Sequence, residues 1–168
     1  LSLPTEAQWE CGARGKTQTA YWPGSDPMLL QGVANVSDAY ARNHGGLALE
    51  ATRTSLDDGS TMHAPVDSYR ANAFGLHNVH GNVYEWCLDG YDRAFYAHPH
   101  GPDPVAPGVG DEPRVYRGGS YRRGAVSARS WTRNFYPPGM KGHALGVRPA
   151  RAIVSISRGD LIVIIGVR

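Results

Sequence analysis

The sequence predicts an α+β fold of few short helices and short twisted antiparallel strands, joined by much irregular loop. Three observations carry this reading. Gly (21) and Pro (12) make up about a fifth of the 168 residues, against roughly 12% in an average chain. Four Trp and nine Tyr accompany them, which suits loops packed by aromatic residues. Between Asn72 and Trp86 the apolar residues Phe74, Leu76, Val79, Val83 and Trp86 come in short steps broken by Gly and Asn, with no sustained helical stripe. The length favours one domain with one core. At 41% hydrophobic and 19% charged residues, the chain is neither disordered nor a coiled coil.

The elements follow in order. Thr5 is placed to cap a helix and Gln8, three residues on, completes a capping box. Trp9 and Ala13 then share a face, and Gly12 with Gly15 ends the helix within about two turns. Tyr21–Pro27 is turn-rich. Asn35–Asn43 is expected to form a short helix, followed by a polar stretch through Asp57-Asp58-Gly59-Ser60. His98–Pro113, with five prolines and three glycines, reads as a surface loop. Arg114–Arg117 and Leu145–Arg148 read as strands, and Gly118–Ala144 between them has no clear period. Ile153–Ile156 and Leu161–Ile165 are β-branched runs split by Arg158-Gly159-Asp160, a terminal hairpin. No internal repeat is visible.

Several function classes recede at once. A net charge of +2 argues against a dedicated nucleic-acid binder. No apolar run approaches the ~20 residues that span a bilayer. Leu1 is followed directly by a helix signal, without a signal-peptide pattern, so the chain reads as cut from something longer. Two cysteines are too few for a disulfide scaffold. Cys11 and Cys87 are expected to be buried small hydrophobes.

Four blocks are more specific: Leu3-Pro4-Thr5-Glu6-Ala7-Gln8-Trp9-Glu10; Asn72-Ala73-Phe74-Gly75-Leu76; His80-Gly81-Asn82-Val83-Tyr84-Glu85-Trp86; and Arg117-Gly118-Gly119-Ser120-Tyr121 running on to Leu145-Gly146-Val147-Arg148. Through them the chain resembles the formylglycine-generating-enzyme-like (sulfatase-modifying-factor) family, a branch of the C-type lectin fold. The resemblance implies that residues 1–152 are the C-terminal portion of such a domain, without roughly its first half. Residues 153–168 form a β-branched tail outside it.

The family's copper-dependent oxidases use a cysteine pair shortly after the Arg-Gly-Gly-Ser block, because soft thiolates hold Cu(I). Here Tyr121–Arg129 contains no cysteine, and none follows Cys87, so no copper is expected and formylglycine-generating activity is rejected. Calcium is the cofactor that the resemblance implies, in a structural role. One family site uses an Asn side chain, two carbonyls and a Glu, which map to Asn78, Gly81, Val83 and Glu85. A second maps to Asn35 and Val36 with Asp58 and Ser60 across the loop. Hard oxygen donors in an irregular loop suit this cation. The alternative is that Asn78 and Glu85 only satisfy loop amides.

Relatives within the fold include variable proteins of diversity-generating retroelements, in which a lectin-like scaffold presents a rewritten segment. Residues 117–148 fit that plan. Framework residues (Arg117 to Ser120, Ala128 to Ser130, Arg133, Leu145 to Arg148) alternate with residues of no evident structural duty. The latter are the candidate ligand surface: Arg122, Arg123, Gly124, Ser127, Trp131, Thr132, Asn134, Phe135, Tyr136, Lys141 and His143. Tyr, Trp and Arg dominate contact energy at interfaces, with Ser, Gly and Asn as adaptable partners. Tyr121 is read as core, Trp131 as either core or surface, and Phe135-Tyr136 before Pro137-Pro138 as an exposed loop tip.

His77, His80, His98 and His100 do not form a recognised ligand set. Arg158-Gly159-Asp160 is a turn, Asn35-Val36-Ser37 has the calcium role above, and Gly108-Val109-Gly110 lacks the setting of a phosphate loop. No catalytic triad or carboxylate pair stands out. The expected function is therefore a non-catalytic module that displays a variable surface to a protein or other macromolecular ligand, with neither nucleic acid nor membrane as partner. The alternative is an enzyme or accessory domain of the formylglycine-generating-enzyme and sulfoxide-synthase family, with its metal site in the missing N-terminal part. A structural remnant without a ligand is the third.

Overall fold

The computed structural model describes residues 1–47, 55–154 and 161–165. The chain opens on a helix because its first turn is capped twice. Thr5 Oγ1 accepts from the Gln8 amide, and Gln8 Oε1 accepts from the Thr5 amide, each at 3.1 Å. This is the predicted capping box. Helix α1 runs Glu6–Arg14 and stops at Gly15, whose φ of 53° is left-handed. Gly12 does not end it; it lies inside the helix on the buried face with Glu6, Trp9 and Ala13. Cys11 is exposed and Cys87 buried, both as free thiols. The expectation for Cys11 is thus corrected: two residues on from Trp9 is about 200° around the helix, away from the core. Burial pushes the Cys87 thiol well up.

Helix α2 covers Ala39–Asn43, four residues shorter at its start than expected. Asp38 is extended and its carboxylate caps the Ala41 amide at 2.9 Å, while Asn35 is bridged to Gly81. The principal sheet holds four strands in the order β3-β2-β1-β4. These are β1 Tyr84–Gly90, β2 Arg114–Arg117, β3 Asn134–Tyr136 and β4 Leu145–Gly146. Both β1–β2 and β2–β3 are antiparallel, whereas β1–β4 is parallel. Strand β4 ends before Arg148, which is drawn into an ion pair with Glu85. A second pair, β5 Ala150–Val154 with β6 Leu161–Ile165, is antiparallel, and Ser2 exchanges backbone hydrogen bonds with Ala150. The Arg158-Gly159-Asp160 turn lies outside the described residues.

Phe135 and Tyr136 are not a loop tip. They belong to β3, paired Val115↔Phe135 and Arg114↔Tyr136, and Pro137-Pro138 ends the strand instead of making the turn. The segment before them carries a 3-10 turn at Ala125–Ala128.

Helix α1 packs on β1 and β2. Trp9, Ala13, Leu76, Val79, Cys87, Val115 and Ala150 form the core between them. A second core joins Tyr21, Leu30, Val33, Val36 and Leu56 to Ala125 and Ala128. Between the layers sits an ion cluster. Arg117, fully buried, bonds Glu6, Glu10 Oε2 at 2.5 Å and the Ser130 carbonyl at 2.5 Å. Arg133 grips both oxygens of the same Glu6, each at 2.7 Å. Among the described residues no helix is long and apolar enough to cross a membrane.

Removing one partner of a buried ion pair leaves an unpaired charge in the interior, at about 3–5 kcal/mol. Arg117→Ala is therefore expected to lower unfolding free energy in urea by that amount, and Cys11→Ser to stay within about 0.5 kcal/mol of the parent. An Arg117→Ala loss under about 1 kcal/mol would show that water or Arg133 compensates Glu6.

Candidate functional site

The segment after β2 is fixed from below before it offers anything outward. Gly119 has φ of 78°, and a Cβ there would meet the Ala128 backbone at 2.8 Å, so only glycine fits. The Ser130 amide donates to the Ala20 carbonyl at 2.8 Å, and Tyr21 Oη to the Ala125 carbonyl at 2.9 Å. His80, fully buried, donates from Nδ1 to the Ala128 carbonyl at 2.8 Å and accepts at Nε2 from the Trp22 amide at 3.0 Å. These partners require the neutral ring. Burial lowers its pKa from 6.5 to about 4. His80 is thus a clasp between three chain segments.

The candidate surface residues separate into three groups. Trp131, Phe135, Tyr136, Lys141 and His143 are exposed, with Trp131 and Phe135 at 47% and Tyr136 at 45%. Arg122, Arg123, Ser127, Thr132 and Asn134 are half-buried. Gly124 is buried at the start of the 3-10 turn, where its carbonyl accepts from the Ser127 amide at 3.0 Å, which corrects its place on the surface. Tyr121 is core, 2% exposed. Trp131 is surface, with the guanidinium groups of Arg14 and Arg129 at 6.0 and 5.9 Å from its ring.

These residues do not form one patch, and strand geometry says why. Neighbours in a strand point to opposite faces, and residues paired across strands share one. Phe135 therefore joins Val115 on the α1 side, where it stacks on Tyr91 with centroids 3.9 Å apart. Tyr136 and Asn134 join the opposite face with Arg114 and Tyr116. Trp86 pairs with Tyr116, so Trp86 and Tyr84 share it too. Tyr116 meets Tyr84 at 4.7 Å and Trp86 at 5.5 Å, both edge to face. Tyr84, Trp86 and Tyr116 are half-buried. The list drawn from the sequence lacks these three, although Tyr84-x-Trp86 and Tyr116 carry the alternation that places them. The outward sheet face is thus aromatic across three strands.

The residues implied for calcium can be tested against their hydrogen bonds. Asn78 Oδ1 and Asn35 Oδ1 are both buried acceptors without a hydrogen-bond partner. An orphaned amide oxygen in each predicted site fits a hard cation. Gly81, with φ of 79°, brings its backbone against the Asn35 carbonyl where a Cβ would clash, so the two sets lie side by side. Asp58 accepts from the Val36 amide at 2.9 Å and the Ser60 amide at 2.8 Å. Burial, with Asp38 and Asp57 nearby, raises its pKa to about 7. Glu85 fits less fully, because Trp9 Nε1 at 2.7 Å and Arg148 through two bonds already engage its oxygens. Among the described residues no three His, Cys, Asp or Glu side chains are grouped to hold a metal. His77 instead bonds the Tyr69 carbonyl, and His100 stacks on Phe95.

Comparison with known proteins agrees with this architecture. The model of the sulfatase-modifying factor enzyme 1-like domain matches residues 1–153. A formylglycine-generating enzyme of Streptomyces coelicolor is 39% identical over 136 residues, covering 76% of this chain and 40% of that protein. The serine/threonine-protein kinase pkn1 of Chlamydia caviae is 34% identical over 158 residues, covering 90% of this chain and 21% of the kinase. Among solved structures, Treponema denticola variable protein 1 superposes with a TM-score of 0.68 and 28% identity, covering 86% of this chain and 45% of that one. PvdO from Pseudomonas aeruginosa gives 0.65 and 25%, covering 86% and 50%. The chain thus spans half or less of the length of these relatives.

Two buried titrations act on stability with opposite signs. The depressed His80 pKa makes the unfolded chain bind the proton first, so stability falls as pH drops from about 6.5 to about 4. The raised Asp58 pKa makes the unfolded chain ionise first, so stability falls as pH rises from about 4 to about 7. In calcium-free buffer Asp58→Asn is expected to remove the second trend, leaving a melting temperature that climbs from pH 4 to 7. Identical profiles for variant and parent would mean that Asp58 titrates normally.

Proposed function

Because the chain belongs to the sulfatase-modifying factor enzyme 1-like family, with its C-type lectin-like fold, we propose that it works as a non-catalytic ligand-binding module of the retroelement variable-protein kind. The observation that carries this is the outward sheet face. Tyr84, Trp86, Tyr116 and Tyr136 stand there partly exposed over a framework whose inward-turned arginines are held by carboxylates. Rigid amphipathic rings on a fixed base bury area with little loss of side-chain freedom, as binding surfaces require. The likeness to variable protein 1 supports the reading.

The thiols point the same way. Copper oxidase chemistry of the formylglycine-generating type needs a cysteine pair after Arg-Gly-Gly-Ser, and Tyr121–Arg129 has none. Cys11 stands exposed on α1, and Cys87 lies in the core with its thiol held protonated. The identity to formylglycine-generating enzymes favours a second reading, an enzyme or accessory part whose metal site lies in the family's N-terminal portion.

We also infer a structural role for calcium. The Asn78 side chain would hold one ion with the Gly81 and Val83 carbonyls and Glu85, which would also serve Arg148, and Asn35, Val36, Asp58 and Ser60 would hold a second. Bound there, calcium neutralises Asp58 and gives the two orphaned amide oxygens a partner.

Two measurements test these readings. At a hundredfold excess over Kd, calcium is expected to raise the melting temperature by about 5–10 °C, and Asn35→Ala with Asn78→Ala to abolish that rise; a parent protein indifferent to calcium would remove the cation from the account. The full-length protein is expected to hold no stoichiometric iron or copper and to take up no oxygen. Stoichiometric iron or copper together with oxygen uptake would establish the enzymatic reading.

A further inference from the structure

The chain's charges are segregated along its length. Residues 113–159 contain ten of its 17 Lys and Arg and none of its 15 Asp and Glu. Three of those ten turn inward, Arg117 and Arg133 onto Glu6 and Arg148 onto Glu85. Others are met by backbone. Arg114 donates to the Leu88 and Gly108 carbonyls, each at 3.0 Å, and Arg122 to the Leu47 carbonyl at 3.3 Å. A carbonyl occupies the donor but leaves the charge uncancelled.

Strand pairing places part of this charge, Arg114, at the aromatic face. Arg114 pairs directly with Tyr136 and lies two residues before Tyr116. Strands β3 and β4 sit at opposite edges and run in the same direction, so the connection 137–144 leads from one edge of the sheet back to the other. It carries Lys141 and His143, both exposed, and no carboxylate.

Resting on the binding-module reading, we propose that the partner of this face is an acidic polypeptide segment, whose carboxylates meet Arg114 and Lys141 while its apolar side chains meet Tyr84, Trp86, Tyr116 and Tyr136. Charge complementarity selects the sign of the partner. Ring geometry selects a polypeptide over a nucleic acid. Base stacking needs an open ring face, but Tyr84 and Trp86 each meet Tyr116 edge to face, so these rings already take one another as partners. The net charge of +2 is also small for a phosphate backbone.

The test pans the full chain against a phage library of random peptides about a dozen residues long, then measures affinities of synthetic copies by fluorescence anisotropy. Enriched peptides are expected to be rich in Asp and Glu. Their affinity should fall about tenfold in Lys141→Glu and again in Tyr136→Ala. It should also fall about tenfold between roughly 50 mM and roughly 500 mM salt. Both residues are exposed, so melting temperatures should stay at the parent value. Face-dependent enrichment without acidic bias would overturn the acidic partner and keep the module. No enrichment that depends on Tyr136 would overturn both. An oligothymidylate that binds more tightly than the peptides, or a dimer of the chain that Lys141→Glu dissolves, would also overturn the proposal.

Discussion

Glu6 is the constraint on which the other parts lean. Its carboxylate, 1% exposed, receives Arg117 from β2 and both arms of Arg133 from the segment before β3. Its amide donates to Asp89 of β1 at 2.6 Å, and the other Asp89 oxygen accepts from Ala106 at 2.9 Å. Burial and the Glu6 charge push the Asp89 carboxyl upward. Arg117 also lies over the Trp9 ring at 5.3 Å. One helix, two strands and two loops thus converge on this one buried residue. Such clusters add little to net stability compared with apolar packing, yet they tolerate no missing member. What this cluster supplies is register: the helix, the Gly-Gly turn and Arg133 can meet in one arrangement.

That arrangement explains how much of the fold was legible. Thr5 and Gln8 act within one turn of chain, so the cap and α1 follow from local chemistry. Strand β2 and the glycine turn after it are also local patterns. The outer ends of the molecule were harder. Asn134–Tyr136 is a strand only because β2 lies beside it, and three residues followed by two prolines carry no periodicity. The Asn35–Asn43 helix shortens because Asn35 pairs with Gly81, a contact far away in sequence. Cys11 was within reach of simple helix angles, since Trp9 and Ala13 already defined the inward side.

The site shows the same division. Which residues lie between Arg117 and Arg148 is plain from sequence. That Phe135 and Tyr136 part company, and that Tyr84, Trp86 and Tyr116 join one of them, depends on cross-strand pairing. The orphaned oxygens of Asn35 and Asn78 could be named from their motif, but their lack of a partner is visible only in three dimensions. The double duty of Glu85, shared between its motif and Arg148, is visible only there as well.

The alternation in β3 has a consequence for how such a chain can change. Arg133 is locked to Glu6 and lies between the rings of Tyr91 and Tyr96, 5.1 Å from each. Counting outward from that fixed point, even and odd positions are shown to different sides of the molecule. Replacing side chains therefore alters the chemistry of each side independently. Inserting or deleting a single codon between Arg133 and Pro137 does something else: it inverts parity, sending a Tyr136-like ring toward Tyr91 and a Phe135-like ring toward Tyr116. Length, more than composition, is the quantity this short edge must conserve.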